Sequence, residues 1–344
     1  MPLADVFTSD IFSLRTQTDA VNRLPYVPGR AGELGLFEER GIATTTIMVE
    51  EKDGVLNLLV TTPRGGVPVQ YAPNKRTARS FTVPHIALEH TMVADEVQGV
   101  RAFGSESQLE TVQGVVGMRL GEMVQSMDAT MEYLKVGALK GIVLDGDGAT
   151  TIYNYFTEFG VTQETEVAFD LTAGAPASGT LGRKCAAIIR KMQDNLGAAP
   201  MSGVHAFCSP EFYDDFIAHS EVLNSYLRFP TTAPAQFARD SHVRTPPFSW
   251  GGIDWEEYRG SIGGTSFIAA DKAIFFPKGV PGLYKMYFSP ADFQETVNTI
   301  GLPRYAPPPV VDPEFGRWVK LHLQSNPLPL VTRPKVLMIG RRGA

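Results

Sequence analysis

The chain has 344 residues, 43% hydrophobic and 20% charged, with 37 acidic against 31 basic side chains and a formal net charge of −6. That length supports a large core or two compact units, no window approaches the roughly 18 apolar residues of a membrane span, and Met1 to Asp10 lacks the blocks of a secretory signal. The acidic balance excludes a protein that grips nucleic acid by neutralising many phosphates. Two cysteines, Cys185 and Cys208, fit buried reduced thiols and a cytoplasmic origin better than a disulfide framework.

Residues 1–40 hold short apolar pieces, among them Phe7, Phe12 and Phe37, separated by Pro25, Pro28 and glycines. They read as an arm with no core of its own. Two strand-like runs, Thr44 to Glu50 and Val55 to Thr61, flank Lys52-Asp53-Gly54, and Asp-Gly between β-rich runs predicts a hairpin. Pro63 to Arg79 carries Lys75, Arg76 and Arg79 and returns through the strand-like Ser80 to Val83, so a long two-stranded loop with a basic tip is expected. A lone ribbon is marginally stable in water and is expected to rest on another chain. Its cations suit phosphate, solvent or an acidic patch on a neighbouring subunit, and the acidic overall charge favours the neighbour.

From Leu109 to Leu139 the positions Leu109, Val112, Val116, Leu120, Met123, Met127, Met131, Leu134 and Ala138 keep a three-then-four spacing. This predicts one helix, about 45 Å long, with a single apolar stripe. Its length makes it a strut rather than a packing helix. Gly114, Gly117, Gly121 and Gly137 each cost about 1 kcal/mol relative to alanine, so neighbouring packing must hold the helix, and they predict a strut that bends.

Asp145-Gly146-Asp147-Gly148 begins like a calcium loop, but Phe156 stands where the bidentate glutamate belongs, and a hairpin turn between Ile142 to Leu144 and Thr151 to Phe159 is the better reading. Thr180 is the expected N-cap of a helix over Leu181 to Leu196 that Gly197 ends. Val204 to Cys208 reads as a buried strand, and Ser209-Pro210 as the start of a helix reaching His219. Pro230 to Pro247 reads as a surface loop. Strands are predicted around a glycine turn in Trp250 to Tyr258, at Phe267 to Ala270 and at Ala273 to Phe276. A half-buried strand is predicted through Val319, Leu321 and Leu323, and a core strand at Val336 to Ile339. His85 and Glu89-His90 miss every zinc-protease spacing, and no phosphate loop or nucleophile elbow occurs, so no catalytic residue, metal site or cofactor is expected. An α/β enzyme within residues 166–290 therefore has no constellation to support it.

The strings Gly32-Glu-Leu-Gly-Leu-Phe37 followed by Gly41, Val49-Glu-Glu-Lys-Asp-Gly-Val-Leu56, Arg79-Ser-Phe-Thr-Val-Pro-His85 and Glu96-Val-Gln-Gly-Val-Arg-Ala-Phe-Gly104 carry a resemblance. In these, and in their order along nearly the whole chain, the protein resembles the lambda-type phage major capsid protein family (phage major capsid protein E). The resemblance implies an α+β, Hong Kong 97-type phage capsid fold. Its expected parts are an N-terminal arm at 1–40 and an extended loop at 41–90. A peripheral domain follows at 91–165 and 291–330 around a spine helix at 109–139, and an axial α/β domain at 166–290 and 331–344.

The same resemblance implies a non-enzymatic shell protein of a tailed double-stranded DNA phage, located in the virion and assembled in the host cytoplasm. Hexamers and pentamers would form an icosahedral procapsid that expands on packaging. The implied partners are further copies of itself, a separate scaffold protein, a portal, a small decoration protein, and packaged DNA held by weak non-specific contact, with no membrane. Lysine–asparagine cross-linking at Lys75 is not expected, since nothing nearby depresses a lysine pKa. Intersubunit contact is expected at Lys75, Arg76, Arg79, Phe7, Phe12 and Phe37. A bacterial nanocompartment shell of the same fold is the alternative.

Overall fold

A computed structural model describes residues 29–52, 76–97, 112–172, 179–197, 199–227, 248–262 and 264–343. Phe7, Phe12, Val55 to Thr61, the Asp53-Gly54 turn, Lys75, Leu109 and Pro230 to Pro247 lie outside the described residues.

The predicted strut is a helix over Val112–Lys140, called the spine below. Val116, Met123, Met127, Met131, Leu134 and Ala138 are buried along it and Leu120 is partly buried, as the spacing requires; Val112 is its first described residue. The single-stripe expectation fails in the second half, where every residue from Met131 to Leu139 is buried. Strands of the same chain enclose that half, so the spine is a packing helix there and a one-sided strut only nearer its start.

Its glycines divide accordingly. A Cβ on Gly137 would sit 3.2 Å from the Ile142 carbonyl oxygen and 3.3 Å from the Val143 Cα, whereas Gly117 and Gly121 face open space. Gly137 therefore serves close approach of the next strand, not bending. Gly121→Ala is expected to stabilise the isolated subunit by about 1 kcal/mol. Gly137→Ala makes the same gain against an overpacking cost of about 1–3 kcal/mol, so its urea midpoint should stay level or fall while that of Gly121→Ala rises.

Ahead of the spine lie a one-turn helix, Arg30–Glu33, and strands β1 (Glu38–Gly41), β2 (Thr46–Lys52), β3 (Arg76–Thr82) and β4 (Ile86–Val93). A second one-turn helix, Ala94–Val97, follows. β2 and β3 form the expected two-stranded ribbon, with Thr46 opposite Thr82 and Lys52 opposite Arg76, so the return strand begins at Arg76, earlier than the alternation from Ser80 predicted.

After the spine, β5 (Ile142–Leu144) and β6 (Thr151–Asn154) make the hairpin. In its turn the Asp147 carboxylate accepts from the Ala149 and Thr150 amides, both at 2.8 Å. The chain does not continue as strand to Phe159. Asn154 accepts from the Phe156 amide at 3.1 Å and caps a one-turn helix, Tyr155–Glu158.

The next lobe is a mixed six-stranded sheet in the order β7-β18-β13-β8-β10-β9, built from β7 (Val167–Ala168), β8 (Gly203–Cys208), β9 (Phe248–Trp250), β10 (Ile253–Glu257), β13 (Lys272–Lys278) and β18 (Met338–Arg341). A small ribbon, β11 (Ser261–Ile262) with β12 (Thr265–Ser266), lies between β10 and β13 in sequence. β8 and β10 are parallel, and helices Pro210–Ala218 and Ser220–Leu227 lie on the crossover between them. Ser209 caps the first as predicted, accepting from the Phe212 amide at 3.3 Å.

Helix Thr180–Leu196 starts differently from expectation. Gly179 occupies the cap position at φ +79°, and the Leu181 and Gly182 amides donate to the two carboxylate oxygens of Glu221, each at 3.2 Å. The predicted strand at Phe267 to Ala270 is a turn that buries Phe267 and Ile268 and exposes Ala269 and Ala270, closed by Asp271 at φ +62° before β13 begins. At Val336 to Ile339 a 3-10 turn led by Pro334 consumes the first residue, and β18 starts at Met338.

Two further sheets lie among the described residues. β14 (Tyr284–Phe288) lies between β1, to which it is parallel, and β17 (Pro327–Val331). β16 (Trp318–Ser325) lies between β4 and β15 (Val310–Val311), and its Val319, Leu321 and Leu323 are buried, matching the alternation.

The buried side chains form two clusters. One surrounds the spine and takes in Phe37, Met286, Leu321 and Leu330; the other surrounds Trp255 with Phe169, Phe212, Phe216 and Phe275. The six-stranded sheet is their common wall, because Phe207 and Phe276 face the first while Ala206 and Phe275 face the second.

Candidate assembly surfaces

The spine carries three buried polar residues, Asp128, Glu132 and Lys135, spaced four and three apart and hence on one face. Each holds a different part of the chain. Asp128 accepts from Arg304 Nε at 3.0 Å and from a second guanidinium nitrogen. Glu132 accepts from the Ala31 and Gly32 amides at 2.7 and 3.0 Å and from the Tyr258 hydroxyl at 3.0 Å, so it caps the Arg30–Glu33 turn from the side. Lys135 Nζ lies 3.4 Å from Glu39 of β1.

Beyond Glu132 the network crosses to the second lobe. Arg30 donates from Nε to Glu256, whose other oxygen lies 3.1 Å from His205 Nε2. Burial opposes the Glu256 carboxylate, but hydrogen bonds and charge from His205 and Arg30 outweigh it and hold its pKa below the ordinary carboxylate range. For Asp128 burial wins over Arg304 and raises the pKa. His205 is buried, and its Nδ1 has no hydrogen-bond partner among the described residues. The root of the N-terminal segment is thus clasped between spine and six-stranded sheet.

The predicted contact residues separate into two groups. Phe37 turns inward, with its ring 5.5 Å from that of Tyr284, and Arg79 sets its guanidinium 5.4 Å over the Phe159 ring, so both make contacts within their own chain. Arg76 begins β3, at the far end of the ribbon from Thr82.

Among the described residues, the large apolar side chains left most exposed are others. Met48 on the ribbon is 71% exposed, Ile300 and Val297 stand on the loop after β14, and Phe315 at the β15–β16 hairpin tip is 69% exposed. Sequence reasoning missed the polar clasp. Its signal was the run Met131-Glu-Tyr-Leu-Lys-Val-Gly-Ala-Leu139, too apolar for an exposed back face, which obliges Glu132 and Lys135 to find partners inside.

Both cysteines are buried. Burial, with Glu221 nearby, pushes the Cys185 thiol up to about 12, and burial raises Cys208 further from reactivity. Among the described residues no cluster of three or more His, Cys, Asp or Glu is placed to hold a metal, and no helix is long and apolar enough to cross a membrane.

The model of the phage major capsid protein E family matches residues 13–342. The chain belongs to that family. It is 28% identical over 347 residues to the major capsid protein of Pseudomonas phage KPP10, covering 96% of this chain and 97% of that one. It is 24% identical to the major capsid protein of Salmonella phage Felix O1, with 97% of each covered.

Among solved structures it resembles a protein described as a prophage capsid protein of E. coli CFT073, at TM-score 0.59 and 14% identity, covering 96% of this chain and 99% of that one. The capsid of cyanophage P-SCSP1u matches at TM-score 0.52 and 11% identity, covering 89% and 86%. These give the fold, which is the Hong Kong 97 type. As a phage major capsid protein E family member, the chain is a structural protein of the virion shell and not an enzyme.

Proposed function

We propose that this capsid protein assembles as hexamers and pentamers into the icosahedral head of a tailed phage, first as a procapsid on a separate scaffold and then as an expanded, DNA-filled shell. The observation that carries the reading is the unfinished surface of the subunit. A two-stranded ribbon with Met48 open to water is marginal alone and is completed by a neighbour. Lys75 and Arg76 then meet acidic groups on an adjacent copy, and Phe7 and Phe12 of the arm bury themselves on one, while Phe37 and Arg79 hold arm and ribbon to their own subunit.

The four parts read from the sequence, 1–40, 41–90, 91–165 with 291–330, and 166–290 with 331–344, serve as arm, loop, peripheral and axial domains. Because β14 packs in the spine cluster, the peripheral core also takes in residues 284–288. A portal fills one vertex, a small decoration protein reinforces the shell, and the net charge of −6 leaves the packaged DNA loosely held.

Negative-stain microscopy of the purified chain, alone and with the scaffold protein, tests the reading. Closed shells or hexamer sheets are expected; a monodisperse monomer or small oligomer in both samples overturns it.

A further inference from the structure

The β4–β16 sheet carries a knob at one end and a hole at the other. The knob is the turn Asp312 to Arg317. Asp312 accepts from the Glu314 and Arg317 amides at 3.1 and 3.2 Å, and Gly316 stands at φ +63°, so the turn is tied internally. On this tied turn the exposed Phe315 ring has the Arg317 guanidinium 4.7 Å over its face. A rigid, exposed aromatic with an arginine against it has the make-up of an interface anchor.

The hole is a cavity of about 400 Å³ where the start of β4 meets the spine and the β5–β6 turn. Pro84, Ile86, Leu134 and Ile152 give it apolar walls, and its exposed members include Ala87 and Asp145. The cavity is large enough for an aromatic ring. Asp145, in its wall, offers Arg317 a partner of opposite charge.

We propose that Phe315 of one copy seats in this cavity of a second copy, with Arg317 paired to the second copy's Asp145. Knob and hole cannot meet within one chain. Ala87 is opposite Gln324 and Val93 is opposite Trp318, which follows the knob, so the two sites are separated by about six residues of strand, or about 20 Å. Each copy therefore gives a knob and receives one. Such a head-to-tail contact closes into a ring where the rotation from copy to copy is a whole fraction of a turn, as around the symmetry axis of a closed shell. The proposal rests on the shell reading and adds to it which surfaces join.

The test places Phe315→Cys and Ala87→Cys together in the full chain. Cys185 and Cys208 are buried, so the new thiols are the ones that oxidise, and their separation lets a disulfide form only between copies. Assembled particles of the double variant should run as a ladder of linked chains on a non-reducing gel, with each single variant remaining monomeric. A monomer band from the double variant overturns the contact, and so does a ladder from Phe315→Cys alone, which would put tip against tip.

Should the double variant not assemble, charge exchange decides. Arg317→Asp should lower shell yield about tenfold or more and Asp145→Arg in the same chain should restore it. Undiminished yield in the first variant, or no recovery in the second, overturns the contact. Failure of the unaltered chain to form shells refutes the shell reading itself, whereas shells lacking this link refute the contact alone.

Discussion

Asp128→Ala should destabilise the folded subunit by about 3–5 kcal/mol, read as a fall in the urea midpoint. The reason lies in what is left behind. Arg304 is only 6% exposed, so removing the carboxylate takes the countercharge from a guanidinium that water hardly reaches. Burial raises the pKa of Asp128 in spite of Arg304; in a buried ion pair desolvation offsets most of the attraction, so the pair itself adds little net stability. The double replacement Asp128→Leu with Arg304→Met should accordingly recover most of the loss. A single variant as stable as the parent, or a double variant no better than the single, would show that the charge is not confined as the geometry requires.

Trp255→Ala should cost a comparable amount, about 3–5 kcal/mol, for an unrelated reason. Its indole is fully buried, stacks on Phe216 with centroids 3.9 Å apart, and meets Phe169 and Phe275 edge-on at 5.8 and 5.3 Å. These rings are held by a helix, by β13 and by the segment after β7, so the cavity cannot collapse without moving all of them. Amide exchange should quicken in β8, β10 and helix Pro210–Ala218 before it changes in the spine, because the six-stranded sheet separates the two clusters. Equal quickening throughout would mean that the two clusters unfold as one.

The sequence was most legible where local chemistry decides structure. The stripe from Val116 to Met127, the Asp145–Gly148 turn, Ser209 as a cap and the alternation around Leu321 each have a short-range cause, and each appears in the fold. The Hong Kong 97-type fold itself was carried by the resemblance rather than by these patterns. Elements failed where a distant residue supplies what a neighbour was expected to supply. Glu221 caps the helix assigned to Thr180, Glu132 caps a turn a hundred residues away in sequence, and β1 pairs with β14 across most of the chain. Phe267 and Ile268 looked like strand because they are apolar, yet they are buried in a turn, and burial alone does not distinguish the two. Phe37 was hard to read, since an apolar residue in a short arm-like piece and an aromatic of the subunit's own core have the same local sequence signature.

The spine's clasp also sets an order of events during synthesis. Asp128 awaits Arg304, which emerges 176 residues later; β1 awaits β14, and β4 awaits β16. Chains are made from the N-terminus, and contacts of such separation form only when the later partner has left the ribosome. The Arg30–Glu33 turn waits in the same way, for Glu132 and then, 226 residues after Arg30, for Glu256. A nascent polypeptide cannot present a finished lattice surface, and competence to join a growing particle arrives only with the last strands of the chain.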